Sequence, residues 1–104
     1  MKVNVSYEFK DFTGKVIPSS LKKEQGLSLR EVMTEALLAQ SKEEPLTGEN
    51  KLRFFDLACL INKCEGGELE LKTGDISLIK ERIGRVYLTI ISGQAWKVLE
   101  GETW

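Results

Sequence analysis

Residues 2–10 alternate strictly, with Val3, Val5, Tyr7 and Phe9 on one side and Lys2, Asn4, Ser6, Glu8 and Lys10 on the other. Successive side chains of a strand point to opposite faces, so the pattern predicts a half-buried β-strand. Asp11-Phe12-Thr13-Gly14 follows as a turn, with Asp11 able to accept from the backbone ahead of it and Gly14 free to take positive φ. Lys15-Val16-Ile17 then returns to Pro18, which predicts a β-hairpin over 1–18. A hairpin alone is marginal in water, so its apolar side must lie on helices. Ser19 to Gly26 is polar and reads as a solvated loop.

The apolar period then changes from two to 3.6. Ser28-Leu29-Arg30-Glu31 is a capping box, and Leu27 and Val32 occupy the positions of a hydrophobic staple. Leu29, Val32, Met33, Ala36 and Leu37 form the stripe of a first helix ending near Gln40. Glu43-Glu44-Pro45 interrupts, and Thr47-Gly48-Glu49-Asn50 starts a second helix whose apolar face is Leu52, Phe55, Ala58, Cys59 and Ile61, widened by Phe54 and Leu57. Gly66-Gly67 ends it, and Glu68-Leu69-Glu70-Leu71 has the period of a short extended segment. Thr73 is the expected N-cap of a third helix with Asp75 in its first turn and a buried stripe of Ile76, Ile79, Ile83, Val86 and Tyr87. Gly84 inside that helix implies close packing or a bend. Ile91, Ala95, Val98 and Leu99 favour a fourth helix ending at Gly101. The expected fold is therefore mostly helical α+β, one domain over 1–104, with the hairpin of 1–18 packed on about four short helices within 27–101.

Composition narrows the chemistry more than it suggests any. With 104 residues and 41% hydrophobic positions, the chain fills one modest core without a metal or disulfide. Fifteen Lys and Arg against sixteen Asp and Glu, balanced in each half, point away from nucleic acid and from a charged membrane surface. No run of about 18 apolar residues spans a bilayer and the N-terminus has no signal-peptide pattern, so the reading is soluble and intracellular. There is no histidine, which removes the commonest general base and metal ligand. Cys59 and Cys64 read as small buried hydrophobes. No nucleophile motif, P-loop or dinucleotide fingerprint occurs, and Glu43-Glu44 reads as a solvated pair, so neither an enzyme nor a cofactor is expected.

Two surfaces remain as candidates. Ile91, Ala95 and Val98 lie close together on the fourth helix, and Ile90, Trp96 and Leu99 widen its apolar arc to about 240°. That exceeds what one core contact covers, unless the helix is central, with the hairpin on one side and helices on the other. Phe54 and Phe55 are adjacent, about 100° apart, so a narrowly covered helix leaves one outside. Trp104 ends the chain, where an indole either docks back or meets a partner. Trp96, Leu99, Trp104 and Phe54 are thus the candidate contacts with another protein, a second copy through the C-terminal segment included. The alternative is a nucleic-acid contact by the third helix, around residues 75–87, through Lys80, Arg82 and Arg85, although Glu81 pairs with Arg85 at i,i+4.

The order of these signals resembles small proteins of tailed bacteriophages and prophages, most of which carry no assigned function. The likeness rests on Asp11-Phe12-Thr13-Gly14-Lys15, Leu27-Ser28-Leu29-Arg30-Glu31-Val32 leading to Ala36-Leu37-Leu38, and Leu46-Thr47-Gly48-Glu49-Asn50-Lys51. It continues in Leu69-Glu70-Leu71, Asp75-Ile76-Ser77-Leu78-Ile79-Lys80 and Gly93-Gln94-Ala95 before Leu99-Glu100, which covers nearly the whole chain. The resemblance implies a protein made in the cytoplasm of a bacterial host, and it brings no catalytic residues. The expected function is a non-enzymatic phage protein that binds a phage or host protein, as an assembly factor or a modulator of a host machine. A nucleic-acid-associated regulator is the alternative.

Overall fold

A computed structural model describes residues 2–19, 25–39 and 48–101. Its elements run β1 (Lys2–Asn4), α1 (Leu29–Leu38), α2 (Gly48–Lys63), β2 (Glu68–Glu70), α3 (Thr73–Val86) and α4 (Thr89–Leu99). The mostly helical α+β architecture, with four helices among the described residues and an N-terminal antiparallel β element, is as expected. The regular ladder of that element joins β1 to β2, with Val3 opposite Leu69. The short extended segment after Gly66-Gly67 buries Leu69 and reaches back across the helical part to do so. Beyond β1 the alternation persists through Val5, Tyr7 and Phe9, and the chain turns where Asp11 and Gly14 allow. The Thr13 hydroxyl and the Thr13 and Lys15 amides donate to Asp11 Oδ1, Gly14 takes φ 86°, and Lys10 comes to lie opposite Val16. Led by the Thr13 hydroxyl, these donors hold the Asp11 carboxyl below its ordinary value.

The strand side is joined to α1 through the helix's first amides. Leu29 N–H donates to Tyr7 O and Arg30 N–H to Val5 O, so two donors without intrahelical partners are satisfied by the β segment. Ser28 Oγ accepts from the Glu31 amide at 3.3 Å, the forward half of the capping box. The return half is replaced, because the Glu31 carboxylate accepts from the Ser19 hydroxyl. The buried face of α1 is Leu29, Val32, Met33, Ala36 and Leu37, as its spacing requires, and α1 packs on both α2 and α3.

Several expected positions turn out differently. The inner face of α2 is Phe54, Leu57, Ala58 and Ile61, so Phe54, a candidate partner contact, is only 5% exposed. Phe55 and Leu52, assigned inward, are 57% and 62% exposed. The helix is rotated by about one residue's 100° from the face the sequence suggested. Val86 lies at the surface because α3 ends there, before its side chain can join the stripe. Lys72, not Thr73, stands at the cap of α3, with no side-chain hydrogen bond. A Cβ on Gly84 would lie 3.8 Å from Trp96 Cζ2, an ordinary contact, so tight packing does not explain that glycine. The first helix ends at Leu38, with Ala39 as its C-cap, close to the expected end near Gln40. The start of the second helix at Thr47 and the Glu43-Glu44 pair fall outside the described residues.

The fourth helix is held between α3 and the N-terminal segment by a buried glutamine. Gln94 Oε1 accepts from the Lys10 amide and the Tyr7 hydroxyl, while Gln94 Nε2 donates to the Lys10 and Ile90 carbonyls. A single side chain thereby pairs with both backbone groups of Lys10, which orients the turn against α4. Core residues from every element meet here, including Phe9, Leu29, Ile61, Ile79, Ile83 and Leu99. Ile79 is fully buried among them, so Ile79→Ala should lower stability by about 2 to 4 kcal/mol in denaturant unfolding. A loss below about 0.5 kcal/mol would place that side chain outside the core.

Candidate functional site

The exposed chemistry is concentrated where α3 gives way to α4. Tyr87 and Leu88 break the helix, and Ser92 Oγ lies within hydrogen-bonding distance of the Ile83 and Tyr87 carbonyls, closing the end of α3 with a residue of α4. At the other end of α4, Gly101 takes φ 79° and its amide donates to Val98 O, a left-handed stop that glycine allows without strain. Trp96 faces back across α3. Its indole N–H donates to Lys80 O at 3.0 Å, and the Lys80 ammonium sits 4.6 Å from the ring centroid while pairing with Glu100 at 2.5 Å. The ring is thus held by two contacts with Lys80 and is still 41% exposed. A concavity of about 270 Å³ adjoins it, floored by Gly84, Ser92 and Gly93 and walled by Tyr87 and Trp96.

Of the candidate partner contacts among the described residues, Trp96 alone is found at the surface. Leu99 is 0% exposed because it points into the core between α4 and the strand side, and Phe54 is buried on α2. Trp104 lies outside the described residues. The broad apolar arc of α4 is consumed in part by its central position: Ala95 and Leu99 are buried, while Ile90, Ile91 and Val98 are half-buried.

The basic face expected on the third helix is not assembled. Arg82 is 5% exposed, its Nε donating to Ala36 O at 3.2 Å and its Nη2 to Ala39 O at 2.7 Å, with the guanidinium 5.3 Å from the Phe54 ring. It serves the end of α1 rather than a phosphate. Lys80 is engaged by Glu100 and Trp96, and Arg85 forms the expected pair with Glu81 at 2.9 Å. Cys59 and Cys64 are free and half-buried.

Two features escaped the sequence reading. One is a polar row on α1, where Glu35 accepts from the Tyr87 hydroxyl and Glu31 accepts from Ser19. Both are i,i+4 neighbours on one helix face, a spacing visible in the sequence but without a sign of what lies opposite. The other is the outer side of α2, where Leu52, Phe55 and Leu60 are all exposed. No protein-family model matches the chain, and neither curated proteins nor solved structures give a match.

The Tyr87 phenol is held well above the ordinary tyrosine range, first by its burial, then by donating to Glu35 and by the negative charges of Glu35 and Glu31. The folded state therefore keeps a proton that the unfolded state releases near pH 10. This contribution to stability is complete below about pH 10 and declines as pH rises beyond it. Unfolding midpoints across that range should fall for the parent chain and fall less for Tyr87→Phe. An identical decline in both would contradict the assignment.

Proposed function

We propose that this chain is a non-enzymatic interaction protein of phage or prophage origin. It acts in the bacterial cytoplasm by binding a phage or host protein, as an assembly factor or as a modulator or inhibitor of a host machine. The resemblance of its sequence to small tailed-phage proteins supports the origin. The observation that carries the binding role is Trp96, a large aromatic already fixed by the Lys80 ammonium and by its own indole hydrogen bond, yet open to solvent beside a recess lined by Tyr87, Ser92 and Gly93. An anchor held in place before binding loses little conformational freedom on association, and aromatic anchors of this type dominate the energetics of protein interfaces. Small polar and glycine positions around it leave a recess into which a partner side chain fits.

The reading is tested by purifying the tagged chain from phage-infected bacteria, identifying a stoichiometric partner and measuring its affinity for the parent and Trp96→Ala proteins. Truncating Trp96 should weaken binding by tenfold or more, since losing an interface anchor costs about 2 kcal/mol. Full-strength capture by a folded Trp96→Ala protein would move the binding surface elsewhere.

A further inference from the structure

A helix that packs on a core by one side normally keeps its large apolar side chains off the outer side, and α2 exposes several of them among its outward charges. At about 100° per residue, its buried set of Phe54, Leu57, Ala58 and Ile61 spans about 100°, while Leu52, Phe55, Cys59 and Leu60 fall in an arc centred on the opposite side. Leu52, Phe55 and Leu60 are exposed and Cys59 is half-buried, so α2 carries a second apolar stripe along most of its length. A groove of about 420 Å³ runs beside it, bounded by Leu52, Leu60, Asp56 and Asp75.

The charges along this stripe are ordered. Glu49, Asp56 and Lys63 are exposed and recur at seven-residue spacing, which keeps them on one line of the helix surface, acidic at the start and basic at the end. We propose that this face is the self-association surface of the protein, two copies of α2 packing antiparallel about a two-fold axis near Asp56. In that register Leu52 meets the partner's Leu60, and Glu49 meets the partner's Lys63, each twice by symmetry. A parallel arrangement sets Glu49 against Glu49 and Lys63 against Lys63, and it aligns the helix dipoles unfavourably. Asp56 meets its own copy at the axis, the one repulsive contact of the register, which makes the pairing reversible and places it in the small, weak class of interfaces. This inference is separate from the Trp96 reading and uses none of its residues.

Sedimentation analysis of the full chain from about 1 µM to about 1 mM, the range in which a small interface dissociates, should show a reversible monomer–dimer equilibrium. Leu60→Glu should leave a monomer throughout with unchanged circular dichroism, and Trp96→Ala should leave the dimer intact. Glu49→Lys and Lys63→Glu, taken singly, should each weaken the dimer by roughly fivefold, since each turns two exposed ion pairs into repulsions. The double variant Glu49→Lys with Lys63→Glu should restore it. A monomer at every concentration, a dimer that survives Leu60→Glu, a dimer abolished by Trp96→Ala, or a double variant no stronger than the singles would each overturn the proposal.

Discussion

The fold depends on what satisfies the carbonyls at the ends of α1 and α2. A helix leaves its last carbonyls without intrahelical donors, and burying them unpaired costs about 1 to 3 kcal/mol each. In this protein arginines from neighbouring helices supply the donors. Arg82 of α3 reaches Ala36 O and Ala39 O at the end of α1. Arg30 of α1 reaches Ile61 O and Cys64 O at the end of α2 and Gly66 O just beyond it. Each guanidinium joins one helix to the terminus of another, and a cation at a helix C-terminus is also favoured by the helix dipole. The last turn of α1 contains no basic residue of its own, so the donor has to come from elsewhere in the fold.

This arrangement sets the rotation of α2. The Arg82 guanidinium lies against the Phe54 ring, which covers the buried cation with an aromatic face. Arg30 holds the far end of the same helix, and Asn62 adds a hydrogen bond to Thr34 of α1. With Phe54 turned inward at one end and Ile61 at the other, Phe55 and Leu52 have to face solvent. The outer apolar stripe is thus a consequence of the same contacts that close the core. At the opposite end of the helix order, Gln94 draws α4 onto the N-terminal segment, burying Leu99 and leaving Trp96 at the rim.

What was legible in the sequence follows from locality. The strand alternation of Val3, Val5 and Phe9, the Asp11 turn, the Ser28 cap and the whole buried stripe of α1 depend on residues within a few positions of one another, and all are where the spacing puts them. Phe54 and Phe55 differ by one position on a helix whose apolar residues run all the way round, so periodicity could not choose between them. Arg82 reads as a surface cation in any pattern of hydrophobicity, because its partners are main-chain carbonyls 43 and 46 positions away that carry no sequence signal. Leu99 and Trp96 lie on one arc of α4, and which of them is covered depends on the Gln94 contact with Lys10, 84 positions distant. Trp96 was legible as a candidate because its size made it conspicuous. The order of Glu49, Asp56 and Lys63 was equally visible, but it acquires meaning only once α2 is known to expose that line.

The claim that a buried arginine ties α3 to the end of α1 and orients α2 is tested most directly by equilibrium unfolding of Arg82→Met beside Arg85→Met. Methionine keeps much of the apolar stem of Arg82 but removes both donors, leaving the Ala36 and Ala39 carbonyls without them. The account predicts a loss of about 2 kcal/mol or more for Arg82→Met and a change within about 0.5 kcal/mol for the surface-paired Arg85→Met. Equal stability of the two variants, or an Arg82→Met protein as stable as the parent, would contradict it.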